Sequence, residues 1–93
     1  MSADFEVIHD AAAQRFEARV DGQLAIAAYR LDDGVMAMVH TEVPAALEGR
    51  GIASRLVQAA FDHAQAHGLK IRPLCSYVAV WARRHPERAG QLA

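Results

Sequence analysis

Ninety-three residues, 53% hydrophobic and 23% charged, are enough for one small domain with a single core and leave no room for a second. That composition excludes a disordered chain, and no apolar run approaches the ~20 residues of a membrane span, so no membrane partner is expected. The net charge of −1 argues against nucleic acid as a partner, and the single cysteine, Cys75, excludes an internal disulfide. The opening Met-Ser-Ala-Asp-Phe-Glu has neither the basic start nor the apolar stretch of a signal peptide, so a cytoplasmic location is expected.

In chain order, Phe5 to His9 is predicted as a first strand and Gln14 to Val20 as a second. In the second, Phe16, Ala18 and Val20 alternate with Arg15, Glu17 and Arg19, the mark of a strand with one face buried. Asp21-Gly22 is a two-residue hairpin signal that sends the chain back through Gln23 to Leu31. Asp32-Asp33-Gly34 then turns it into a fourth strand, Val35 to Val43. Along that strand Met36, Met38, His40 and Glu42 are expected on one face, Val35, Ala37, Val39, Thr41 and Val43 on the other. The period then changes to 3.6. Ile52, Leu56, Ala60 and Ala64, with Val57 and Phe61, form an apolar stripe on a helix ending near His67, stopped by Gly68. Leu69 to Leu74 is predicted as a last strand, brought in parallel to the fourth by a right-handed crossover. Tyr77 to Arg84 is a short helix that His85-Pro86 ends. The predicted fold is α+β, a sheet with its helices mainly on one face.

Residues 41 to 60 run from the fourth strand through Gly49 and Gly51 straight into a helix. A helix N-terminus presents N–H groups without intrahelical acceptors and about half a positive charge, and glycines let an anion approach the bare backbone. A P-loop would need Gly-Lys-Ser/Thr where Gly51-Ile52-Ala53 stands, and a dinucleotide fingerprint would need glycine or alanine where Ser54 stands and a βαβ unit before it. The charge is uneven: residues 1 to 48 carry nine acids and three bases, residues 49 to 93 two acids and seven bases, leaving the halves near −6 and +5. The half with the glycine loop is thus the half suited to an anion, unless the asymmetry is only two solvated faces.

The segment Glu48-Gly49-Arg50-Gly51-Ile52-Ala53 resembles the Q/R-x-x-G-x-G/A acetyl-coenzyme A loop of the GCN5-related N-acetyltransferases (GNAT). Gly51 and Ala53 fall on the two small-residue positions, and Glu48 stands where glutamine or arginine is usual. His40-Thr41-Glu42-Val43-Pro44 before the loop and Pro73-Leu74-Cys75-Ser76-Tyr77-Val78 after it are similar to a very short branch of that superfamily. The resemblance covers the chain from about residue 5 onward and implies a single minimal domain, residues 1 to 93. Its fold would be a mixed, mainly antiparallel five-stranded sheet with two helices after the fourth strand. Only Asp10-Ala11-Ala12-Ala13 separates the first two strands, so the usual helices there, which cover one sheet face and shape the acceptor site, have no room. An open groove, or a face covered by a partner, is expected instead.

The resemblance further implies acetyl transfer from acetyl-coenzyme A to a primary amine carried by a small molecule or a protein. The cofactor would be held by Gly49, Arg50, Gly51, Ile52, Ala53 and Ser54, with the backbone N–H near Val43 as oxyanion donor. A lysine-like amine with a pKa near 10.4 must lose a proton, so Glu42 is the first candidate base and His40 the second. Cys75 is either a catalytic thiol, acylated or donating a proton, or an inert buried one, and Tyr77 is either a general acid or a hydroxyl anchored at the core rim. His63 and His67, four apart on a helix, lack a third ligand, so no metal is expected and a solvated face is the simpler reading. Arg83-Arg84-His85 contacts phosphates or complements a helix dipole. Alternatives of another class are a non-catalytic coenzyme A-binding module, as sensor or partner subunit, and a pure interaction domain using the open sheet face.

Overall fold

The computed structural model describes residues 5–93. Five strands, β1 (Ile8–Asp10), β2 (Arg15–Val20), β3 (Gln23–Asp32), β4 (Val35–Glu42) and β5 (Lys70–Pro73), form one sheet in that order, joined by helices α1 (Ile52–Ala66) and α2 (Ser76–Arg83). The first four strands are antiparallel and β5 lies parallel to β4, the mixed five-stranded arrangement expected. Both hairpins turn on two residues with positive φ, Asp21 (52°) with Gly22 (75°) and Asp33 (53°) with Gly34 (80°). This backbone matches the right-handed twist of the strands it joins. The first strand is displaced from its predicted range: Phe5 and Val7 pack against the core without strand pairing.

Phe16, Ala18 and Val20 of β2 are buried as the alternation requires, together with Ala25, Ala27 and Tyr29 of β3, Met36 and Met38 of β4, and Ile71 of β5. Both helices cover this face. α1 lays Leu56, Val57, Ala60, Phe61 and Ala64 on it, and α2 adds Val78, Trp81 and Ala82. The Phe61 and Trp81 rings meet with centroids 4.8 Å apart, locking the helices to each other as well as to the sheet. α1 stops at a Schellman motif, with Gly68 at φ 69° and the Leu69 N–H donating to the Ala64 carbonyl at 2.8 Å.

The face predicted for the second half of β4 is corrected by a β-bulge. Tyr29 pairs with Met38 but Ala28 with His40, which leaves Val39 as an extra residue. The side-chain alternation therefore slips by one. Met36 and Met38 face the helices, while His40 and Glu42 stand on the opposite face, which no element among the described residues covers, beside Ala28 and Ile26. Thr41, paired with buried Ala27, takes the inward position instead.

Beyond α2 the chain winds through a 3-10 segment, Pro86–Gln91, that no periodicity announced. It is tied down by Arg88 to Asp62 (2.6 Å), by Gln91 Nε2 donating to the Phe61 carbonyl (2.8 Å) and by Leu92, which bridges to Ile71.

Candidate functional site

β5 pairs with β4 only from Val35↔Lys70 to Met38↔Pro73, and the chain then swings away with the Cys75 N–H donating to the Met38 carbonyl at 2.8 Å. Beyond that point β4 has a strand partner on the β3 side alone. A groove of about 570 Å³ opens where β4 ends and α1 begins. One wall is Thr41, Glu42 and Val43 and the other is the start of α1, with Tyr77 at one side.

The α1 wall is made by backbone. Gly51 is the N-cap at φ 75° and Gly49 precedes it at φ 83°, conformations in which other residues are strained, and the space where either Cβ would stand is empty. Among the described residues no side chain caps α1, and its first turn holds no acid. The N–H groups of Ile52, Ala53 and Ser54, all lining the groove, are thus without a capping acceptor, and the dipole end is uncompensated. A phosphate group fits this cradle. Two acids share the groove, Glu42 and Glu48, so the positive potential comes from the backbone rather than from the loop's own side chains.

Arg50 does not join the groove. Its Nη1 pairs with Asp21 Oδ2 at 2.9 Å, fastening the loop to the first hairpin. The +5 half is also less free than its sequence count suggests, because Arg50 pairs with Asp21 of the other half. Arg84 remains close enough to act on the charge of the Tyr77 hydroxyl.

Glu42 lines the groove at its mouth, and His40 Nε2 lies 3.4 Å from Glu42 Oε1. The two side chains are 68% and 60% exposed, so theirs is a loose pair open to an incoming solute. Tyr77, in the first turn of α2, is 39% exposed. Burial pushes its hydroxyl up, against the opposing pulls of Ser54 and Arg84, so it stays protonated at neutral pH. Ser54 is itself fixed by the Trp81 indole, whose N–H donates to Oγ at 3.0 Å.

Cys75 is the N-cap residue of α2, half-buried behind Thr41 rather than in the groove wall. Burial pushes its thiol up, yet the Thr41 hydroxyl, 3.5 Å from Sγ, and the N–H groups of Val78, Tyr77 and Thr41 outweigh it and hold the thiol below its usual range. Those N–H groups approach the sulfur without closing a full capping bond. Thr41 and Leu47, which sequence reasoning left out of the site, are brought in by the bulge and by a 3-10 turn at Ala45–Leu47.

His63 departs from its expected solvated setting. Its ring lies 4.3 Å from that of His9 and 5.8 Å from that of Phe16, and only His67, stacked on it at 4.0 Å, is exposed. Among the described residues no group of His, Cys, Asp or Glu has the geometry to hold a metal ion, and no helix is long and apolar enough to cross a membrane.

Comparison with known proteins agrees with this architecture. A family model described as GCN5-related N-acetyl-transferase matches residues 15–91. The chain is 33% identical to protein NATD1 of Xenopus tropicalis over 88 residues, which cover 91% of this chain and 81% of that one. It is 34% identical to human NATD1 over 83 residues, 86% of this chain and 74% of the human protein. Among solved structures, a GCN5-like putative N-acetyltransferase from Staphylococcus aureus superposes with a TM-score of 0.77 at 26% identity, over 100% of this chain and 91% of that one. The chain belongs to the GCN5-related N-acetyltransferase family.

Proposed function

We propose that this protein transfers an acetyl group from acetyl-coenzyme A to a primary amine by direct attack, with its cofactor in the groove between β4 and α1. The observation that carries the reading is the uncapped α1 N-terminus, opened by two glycines of positive φ and free of any first-turn acid. Bound acetyl-coenzyme A supplies an activated thioester carbonyl. The N–H groups of Ile52, Ala53 and Ser54 hold its phosphates and the N–H of Val43 offers a hydrogen bond to developing negative charge.

Glu42, exposed at the groove mouth beside His40, takes the proton of the incoming amine as the new C–N bond forms. As the C–S bond breaks, the Tyr77 hydroxyl, kept protonated by its surroundings, gives its proton to the departing sulfur. Cys75 sits behind Thr41, outside the groove wall, and in this reading supports α2 and Tyr77 rather than carrying acetyl.

A non-catalytic coenzyme A-binding role is favoured by one observation: the uncovered sheet face offers the amine little that would orient it, and orientation can be worth many orders of magnitude in rate. Steady-state release of coenzyme A with varied amines separates the two. The catalytic reading expects amine-dependent release that Glu42→Gln and Tyr77→Phe each lower by at least about tenfold with affinity for acetyl-coenzyme A intact. Binding without amine-dependent release would leave the sensor role.

A further inference from the structure

An indole nitrogen can only donate a hydrogen bond, and this fixes the sense of the contact beside the Tyr77 hydroxyl. Trp81 Nε1 donates to Ser54 Oγ at 3.0 Å. The indole is held in place for that bond. Its ring lies between Phe61, centroids 4.8 Å apart, and His85, 3.8 Å away and nearly parallel at 17°, and His85 Nδ1 donates to the Trp81 carbonyl at 2.7 Å. With its oxygen accepting from the indole, the Ser54 hydroxyl keeps its own hydrogen for another acceptor. Tyr77 and Trp81 are one helical turn apart on α2, so they stand side by side on one face of that helix. Ser54 and Tyr77 both line the groove, and the Ser54 hydroxyl is close enough to act on that of Tyr77.

We propose that Ser54 is a positioning residue for the acetyl transfer: its hydroxyl, oriented by the Trp81 indole, donates to the Tyr77 oxygen as that oxygen gives up its proton. The inference rests on the reading of Tyr77 as the general acid. When the C–S bond breaks, its electron pair goes to the coenzyme A sulfur, the Tyr77 proton passes to that sulfur, and Tyr77 is left as a phenolate. A hydrogen bond to an ionised oxygen is roughly twice as strong as one to a neutral oxygen. The Ser54 donor therefore stabilises the transition state more than the resting enzyme, which is the condition for raising kcat.

The charged side chains around the same hydroxyl are Arg84, at the end of α2, which favours the phenolate, and the groove acids Glu42 and Glu48. Ser54 differs from all three in being an uncharged donor whose direction another side chain sets. Its backbone N–H remains part of the phosphate cradle whatever its side chain, so the two roles can be separated by substitution.

The test joins a titration to steady-state kinetics in the parent, Ser54→Ala, Ser54→Thr and Trp81→Phe. The titration is 19F NMR of the full chain labelled with 3-fluorotyrosine, its two tyrosine signals, Tyr29 and Tyr77, assigned with Tyr77→Phe. It needs neither cofactor nor turnover. Tyr77 should ionise at higher pH in Ser54→Ala, at higher pH by a smaller step in Trp81→Phe, and near the parental pH in Ser54→Thr. An unmoved Tyr29 signal shows that the fold is kept. In the kinetics Ser54→Ala should lower kcat by at least about tenfold, the worth of a hydrogen bond to a charged oxygen, with affinity for acetyl-coenzyme A within twofold. Ser54→Thr should regain most of the rate. An unmoved Tyr77 titration in Ser54→Ala would overturn the inference, and so would lost affinity at unchanged kcat, which would make the hydroxyl a phosphate ligand. A parent without amine-dependent release would overturn the transfer reading and Ser54's part in it together. That failure is told apart from a missing contact because the titration still reads the contact.

Discussion

Replacing Gly51 with glutamate tests the placement of the phosphate cradle in two separable ways. At φ 75° any L side chain is held in the left-handed region, which costs roughly 1–2 kcal/mol. A Cβ there meets nothing within 4 Å, so no packing penalty is added. For a domain of this size each kcal/mol lowers Tm by about 4–8 °C, so a fall of about 5–15 °C with the fold retained is expected. The second effect is on binding. A carboxylate ~4 Å from a bound phosphate opposes it by between ~1 kcal/mol in a watery setting and ~4 kcal/mol near a protein surface. A middle value of about 2 kcal/mol weakens acetyl-coenzyme A roughly 30-fold. Gly51→Ala carries the same backbone cost without the charge, so it should show the same Tm fall and most of the parental affinity. Thermal melts and calorimetric titration of the three proteins decide it. A folded Gly51→Glu protein that binds acetyl-coenzyme A within threefold of the parent would refute the placement.

Other perturbations reach other parts of the account. Phe61 is fully buried between the sheet and Trp81, so Phe61→Ala should cost about 3–5 kcal/mol in denaturant unfolding, whereas Leu74→Ala, at 63% exposure, should stay within about 0.5 kcal/mol. Burial holds His9 and His63 below the usual histidine pKa, with His67 adding repulsion to both and Asp10 opposing it at His9. A depressed histidine pKa makes the neutral form the one that folding favours. Its contribution is therefore complete above the unfolded pKa of about 6.5 and is lost as pH falls through it towards the lower folded value. Tm should fall between pH 7 and 5 and fall less steeply in His63→Phe; an unchanged slope in that variant would disprove the assignment. Cys75→Ala should leave coenzyme A release within about threefold of the parent if Tyr77 is the proton donor, whereas a loss of a hundredfold or more would make the thiol part of the chemistry.

Much of the fold was legible because its signals are local. Alternation in β2 marked the face that the helices cover, the pairs of turn residues marked both hairpins, and the change of period at Ile52 marked α1, with Gly68 as its stop. The glycine loop was legible for the same reason, since a positive φ beside an apolar helical stripe narrows the choice of residue. What failed was the second half of β4. There the sequence held a conflict: Met36 and Met38 share their parity with the polar His40 and Glu42, while Thr41 and Val43 share the opposite parity. A bulge at Val39 resolves the conflict by turning the polar pair outward and Thr41 inward. Alternation counted across the whole strand could not see it; comparing the two halves would have. The pairing of Arg50 with Asp21, which sets it outside the groove lining, was not legible because the two lie in different elements far apart in sequence. The 3-10 segment Pro86–Gln91 has no period, and only tertiary contacts to Asp62 and Phe61 define it.

The central claim is that the groove binds acetyl-coenzyme A and delivers its acetyl group to an amine. It is tested most directly by incubating the purified chain with acetyl-coenzyme A and a panel of polyamines and lysine-bearing peptides, reading coenzyme A release and acceptor mass together. The account predicts release that requires an amine, rises with pH as the amine loses its proton, and is matched by one acetyl mass on the acceptor. Saturable binding with release no faster than the background without protein would contradict it.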